Sequence, residues 1–304
     1  MIVIMASTLE TTEEPKNREI IFDGYGVYLV TDQDAYPLVN KNDPALENPR
    51  NVVLVSKPDW RSTRDTLEDE EFGKTIVLTP ELITIAGEPF ADLYKRREEV
   101  QRALRDVARI SQSKPETTFV IGSPHFIDGH TLPFNAAIVI KNGQIVQASH
   151  KRLLGGDEVG TFDFDPEESP QAFEDTTILV CRDLIGAQKT RLIGGSNGVA
   201  DYVFRTSNDP TVAKKFENAR FIALGSARIL VESCWGVGMP AGLRFGDAPQ
   251  KIIDEYYLMN LRALSQSLLR MDPNINQVIV CDRAPTNTFG EPVSSKPMSA
   301  VFFK

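Results

Sequence analysis

The sequence predicts a single α/β domain. Short apolar runs of strand size recur along most of its 304 residues, and amphipathic helical segments are interspersed among them. No linker, repeat or low-complexity block divides the chain. With 41% hydrophobic residues there is ample material for a buried core. The expected organisation is a flexible N-terminal segment over residues 1–18 and one domain over residues 19–304.

The lead-in holds Ser7, Thr8, Glu10, Thr11, Thr12, Glu13, Glu14, Pro15 and Lys16, side chains whose burial cannot offset the entropy of ordering them. Strand-sized runs follow at 26–30, 51–55, 75–78, 118–121, 136–140, 144–148, 176–180, 201–204, 228–231 and 277–280, rich in β-branched residues. So many strands imply more than one sheet. Asn142-Gly143 separates two of the runs and predicts a two-residue antiparallel hairpin, since both positions tolerate positive φ.

Helical spacing appears at 92–113, where Leu93, Val100, Leu104 and Val107 fall on one stripe. It appears again at 211–224 and at 249–271, the latter opening on a proline and stopping before Asp272-Pro273. Residues 32–61 contain Pro37, Pro44, Pro49 and Pro58 and read as loop plus an extra apolar run.

A net charge of −9 and a pI near 5.0 argue against nucleic acid or an anionic membrane as partner, because phosphates call for a concentrated cationic surface. A small-molecule substrate fits better. Cys181, Cys234 and Cys281 lie far apart, so reduced thiols are expected rather than a disulfide framework. No run approaches the roughly 20 apolar residues that span a bilayer, and residues 1–6 are too short for a secretion signal and lack its basic flank. A cytoplasmic protein is expected.

Three segments can carry chemistry. Glu81 follows an apolar run closed by Pro80, which cannot donate to a sheet ladder and so ends the strand. Lys151 follows the hairpin that begins at Phe134-Asn135. Cys181 closes the run Thr176-Thr-Ile-Leu-Val and is followed by Arg182 and Asp183. Taken singly, each has an ordinary explanation: a solvated glutamate, a solvated lysine, a buried cysteine behaving as a small hydrophobe. Taken together they are a base, a cation able to hold an oxyanion, and a nucleophile.

In this order and spacing, with 70 residues from Glu81 to Lys151 and 30 from Lys151 to Cys181, the three segments resemble the nitrilase, or carbon–nitrogen hydrolase, superfamily. Asn135, Leu154, Glu158 and Asp183 also match family positions, and the resemblance spans about residues 75–232. It implies a two-sheet α-β-β-α sandwich, a homodimer or higher homo-oligomer, and hydrolysis of a small amide or nitrile through a cysteine thioester without metal or organic cofactor. Cys181 is then the nucleophile, Glu81 the proton acceptor, Lys151 the oxyanion stabiliser and Glu158 an orienting acid, with Asn135 at the substrate. Amidase, nitrilase, carbamoylase and acyltransferase chemistry all share this constellation, and a catalytically silent binding module is the alternative of a different class.

The chain departs from the family pattern near 32–61, where an alanine-rich helix is the norm, and near 236–272. Arg182 stands where an aromatic or apolar residue is usual. It either pairs with a substrate carboxylate, as its bidentate geometry suits, or forms a structural ion pair or stays solvated. Cys281 also ends an apolar run, but no glutamate and lysine accompany it; Cys234 reads as a packing residue. His125 and His130 fall in an expected loop, and with His150 they lack metal-ligand spacing. The glycine-rich 194–198 stretch lacks a phosphate-loop lysine.

Overall fold

The computed structural model describes residues 17–22, 25–30, 35–38, 51–55, 57, 59–86, 90–154, 158–164, 172–173, 176–181, 183, 229–235, 259, 261, 263, 265–266, 268–270, 275, 277–283 and 299–303. The expected strand at 201–204, the expected helix at 211–224, the glycine-rich stretch at 194–198 and Arg182 lie outside them. So does most of the expected segment at 236–272, although its described residues between 259 and 270 are helical, with Leu261, Leu268 and Leu269 fully buried.

The described strands form two sheets. One contains β1 (Asn17–Phe22), β2 (Tyr25–Val30), β9 (Ala172–Phe173), β10 (Thr176–Val180), β11 (Ile229–Trp235), β12 (Gln277–Arg283) and β13 (Ser299–Phe303), in the order β1-β2-β13-β12-β11-β10-β9. The other runs in chain order through β3 (Ala35–Leu38), β4 (Asn51–Val55), β5 (Thr75–Leu78), β6 (Thr118–His125), β7 (Phe134–Lys141) and β8 (Gln144–His150). Each sheet is parallel at its centre, through β10, β11 and β12 in the first and β4, β5 and β6 in the second, and antiparallel elsewhere.

Parallel strands covered on both faces read as unbroken apolar runs. That is why β5 and β10, each buried at every position, stand out in the sequence. The β7–β8 hairpin turns at Asn142 and Gly143 with φ of 50° and 78°, the pair of positive values that a type I′ turn requires.

The stripe read at 92–113 divides into a 3₁₀ turn, Phe90–Arg96, and helix α2, Arg97–Ser113. Leu93, Val100, Leu104 and Val107 are all buried, in one cluster with Phe119 and Ile121 of β6 and Ala136, Ile138 and Ile140 of β7. Strand side chains alternate between faces. With even-numbered β7 residues turned to the helix, Asn135 belongs to the other face. On that face Ser149 Oγ donates to Ile178 O at 2.7 Å and Cys281 Sγ to Leu78 O at 3.3 Å, so hydrogen bonds tie one sheet to the other.

Several elements differ from expectation. The strand β1 takes in Asn17 and Arg18, which composition assigns to the lead-in. The proline-containing 32–61 region supplies β3 as well as β4, and then helix α1, Trp60–Asp69. Only Thr63 and Leu67 of α1 are buried, too sparse a pattern to signal a helix; its start is fixed instead by Asp59, whose side chain accepts from the Ser62 N–H at 2.8 Å. The strand β6 runs on to His125, which therefore ends a strand instead of lying in a loop. Among the described residues no helix is long and apolar enough to cross a membrane.

Candidate active site

The chain leaves β5 at Leu78 and is held against β6 by hydrogen bonds from Thr79 N to Val120 O (3.0 Å) and from Gly122 N to Thr79 Oγ1 (3.1 Å). It then turns through Pro80, Glu81 and Leu82, the last with φ of 54°. This turn presses on Gly122 so closely that a Cβ there would lie 2.1 Å from Pro80 O and 2.7 Å from Glu81 Cα. Only a glycine admits that approach.

Lys151 follows the last residue of β8, and its backbone N–H donates to Asn135 O at 2.7 Å, which fixes the end of β8 against β7. Cys181 follows the last residue of β10 with φ of 50°, a left-handed conformation that a non-glycine residue adopts at a cost of about 1–2 kcal/mol. The strain turns the cysteine sharply out of strand geometry.

Four of the side chains singled out in the sequence meet as a hydrogen-bonded cluster. Lys151 Nζ donates to Glu81 Oε1 at 2.6 Å and approaches Glu158 Oε1 and Oε2 at 2.9 and 2.8 Å. Asn135 Nδ2 donates to Glu81 Oε1 and to Glu158 Oε1, both at 2.6 Å. All four are buried, with Lys151 only 3% and Glu81 only 1% exposed. Cys181 lies against the same pair, close enough to favour the ionised form of Glu81 and to add its charge to the field on Lys151. Among the described residues Glu81 Oε2 closes no hydrogen bond of ordinary geometry.

Two carboxylates share one ammonium, and all three are cut off from water. Burial pushes the Glu81 carboxyl above its usual range; Lys151 pulls it down and Glu158 pushes it up again. Burial also pulls on Lys151, but the charges of Cys181, Glu158 and Glu81 outweigh it and hold the amine well above its usual value. The cluster thus contains a permanent cation beside a carboxylate unusually ready to accept a proton.

Asn135 joins the cluster through one end of its amide. Its amide nitrogen is taken up by the two carboxylates, and its buried Oδ1 has no hydrogen-bond partner among the described residues. Leu154 is buried in the core beneath the Lys151 turn. Cys281, the rival on local pattern, is fully buried and donates to Leu78 O, a packing role. His125 Nδ1 and His150 Nε2 are 2.9 Å apart, while Phe134 stacks on His150 and His130 pairs with Asp163. Among the described residues no group of three or more His, Cys, Asp or Glu is placed to hold a metal ion.

Sequence reasoning gave Asp183 no task, yet its fully buried carboxylate accepts from the Arg152 N–H at 3.0 and 3.2 Å and from the Leu153 N–H at 2.9 Å. It also pairs with the Arg152 guanidinium at 3.5 Å. Burial raises this carboxyl to about 6 despite these partners. Gly122 and Arg152 were likewise not foreseen, since neither a close backbone approach nor a buried guanidinium has a local sequence signature.

The chain is similar in structure to a cysteine-to-alanine mutant of the Nesterenkonia AN1 amidase, at 14% identity over 90% of this chain and 88% of that one, with a TM-score of 0.48. It is also similar to a Xanthomonas campestris protein with an arsenic adduct in its active site (14% identity, 83% and 89% covered, TM-score 0.46) and to Saccharomyces cerevisiae Nit3 (11%, 83% and 88%, 0.42). All three are nitrilase-superfamily or CN-hydrolase proteins. No family model and no curated protein matches the sequence. The functional reading therefore stands on the geometry of the site.

Proposed function

We propose that this protein is a carbon–nitrogen hydrolase of the nitrilase superfamily, amidase-like, that works through a thioester on Cys181. The observation that supports it is the meeting of Glu81, Lys151 and Cys181 from the ends of three different strands. A carboxylate that accepts protons readily, a fixed cation and a thiol make a poor structural motif but a complete acyl-transfer centre.

In the first half-reaction Glu81 takes the Sγ proton, the sulfur attacks the amide carbon, and the carbonyl π electrons move onto oxygen, where the Lys151 ammonium holds the charge. Collapse of this intermediate breaks the C–N bond, with the proton on Glu81 passing to the departing nitrogen. In the second half-reaction Glu81 takes a proton from water, the resulting hydroxide attacks the thioester carbon, and the C–S bond breaks as the sulfur regains its proton. Glu158 and Asn135 keep Lys151 and Glu81 in place throughout.

The reading extends to a four-layer α-β-β-α arrangement, a homo-oligomer and a reducing, cytoplasmic setting, with a small amide as substrate. Nitriles, carbamoyl compounds and acyl transfer use the same three groups. Intact-mass measurement after mixing the wild type and Cys181→Ala with a panel of small amides and nitriles tests the proposal. An acyl adduct on the wild type, absent from the variant, is expected. An adduct persisting in the variant rules out Cys181, and neither adduct nor turnover from the wild type makes the chain a silent binding module.

A further inference from the structure

We infer that Asp183 is a positioning residue that clamps the turn carrying Lys151 to the turn carrying Cys181. The inference rests on the proposed function and extends it to a residue that touches neither substrate nor sulfur. Lys151 is attached to its sheet through one backbone hydrogen bond to Asn135 O; the two peptide groups that follow it, at Arg152 and Leu153, donate instead to the Asp183 carboxylate. That carboxylate is two residues from Cys181, in the stretch of chain that leaves β10. One side chain thereby bridges two segments 30 and 31 residues apart in sequence, adding to the Ser149–Ile178 bond between the strands that lead into them.

The arrangement is more than incidental packing. A carboxylate fully removed from water costs several kcal/mol unless it is compensated, and hydrophobic residues of similar volume would fill the space without that cost. The two consecutive N–H groups both reach Oδ1, so one atom fixes the direction of the turn, while Oδ2 is left to the Arg152 guanidinium and a second approach of the Arg152 N–H. Because Lys151 precedes the clamped residues directly, loosening the clamp lets its ammonium move away from the sulfur it acts on.

Iodoacetamide, a small amide-shaped electrophile, reports on this directly when modification at Cys181 is followed by intact mass and peptide mapping across a pH series. The thiolate is the reacting form, so the midpoint of the rate profile reads how strongly Lys151 favours it. For Asp183→Ala the midpoint is expected to rise by about one pH unit, making alkylation at pH 7 roughly tenfold slower. Asp183→Asn keeps one acceptor oxygen but turns an amide donor towards Arg152, and a smaller rise in the same direction is expected. A merely structural aspartate would lower the unfolding midpoint and leave the profile of the folded protein where it was.

An unchanged profile in whichever of the two variants folds overturns the clamp, and Asp183→Asn decides the matter if the alanine variant does not fold. Failure of the underlying reading has a different signature, namely wild-type protein in which Cys181 is alkylated no faster than Cys234 or Cys281. The clamp falls with it in that case. A wild-type Cys181 that reacts selectively, with variants that match it, removes the clamp alone.

Discussion

Cys181, Lys151 and Glu81 each sit one to three residues past the end of a strand, where a side chain is held by the sheet yet freed from its pleat. Three consequences belong to individual residues. Adduct formation should rise with pH along an acid limb whose midpoint lies above the usual glutamate value near 4.5, because burial raises Glu81 and only its ionised form takes the thiol proton. Rates measured between pH 4 and 8 check this, and a flat profile would contradict it.

Replacing Lys151 with Met leaves two buried carboxylates with no cation, a change expected to cost about 3–5 kcal/mol at pH 7. The loss should shrink towards pH 5 as the carboxyls take up protons, which urea unfolding at the two pH values measures. Asp183 titrates at about 6 when folded against 3.8 ordinarily. The folded protein therefore holds this proton more tightly than the unfolded chain, and the resulting stabilisation is complete below 3.8 and lost as pH rises through 6. Relative to Asp183→Asn, the wild type should gain about 2.5 kcal/mol between pH 7 and pH 3.8; equal unfolding free energies across that range would refute it.

Among single residues, legibility followed pattern along the chain. An apolar run ends just before each of Glu81, Lys151 and Cys181, but it was the order and spacing of the three segments together that singled them out. The task of Asp183 could not be found, because its partners are backbone groups about 30 residues away that every sequence possesses.

Among elements, the turn after β5 depends on what its neighbour lacks. Gly122 lies in β6 with an unremarkable strand conformation, so no turn signal marks it; the constraint is the Pro80 carbonyl and Glu81 backbone packed where a Cβ would be. The variant Gly122→Ala should be destabilised by about 1–3 kcal/mol through overpacking, and its Glu81 should be displaced from Lys151. Urea unfolding and the rate of Cys181 acylation read the two effects separately, and wild-type values for both would refute the contact.

Strands buried on both faces and the Asn142-Gly143 hairpin were readable because a continuous apolar run or a positive-φ pair has few other uses. Helix α1 was not, since its mostly half-buried face is built of polar and charged residues and carries little apolar periodicity; β3 was hidden by Pro37, tolerated because β3 lies at an edge of its sheet. Residues 17 and 18 read as polar lead-in because strand pairing, not composition, draws them into β1.

At the scale of the whole molecule, the α/β class and the need for more than one sheet could be read from the number and alternation of runs and stripes, but which strands share which sheet could not. The strands β9 to β13 remain sheet neighbours in chain order, but β13 pairs with β2 across the length of the chain, and the chain changes sheet after β2 and again after β8. That division runs through the site. Glu81, Asn135 and Lys151 hang from the six-stranded sheet, while Cys181 and Asp183 follow β10 of the seven-stranded one.

Under the proposed function, reactivity would thus belong to the assembled pair and to neither half. A nascent or partly unfolded chain would then carry a thiol with neither cation nor base beside it, and would not acylate until both sheets had come together. In a urea titration the selective labelling of Cys181 should vanish together with tertiary structure followed by tryptophan fluorescence, and labelling that outlasts the fluorescence change would show the chemistry to be held within one sheet.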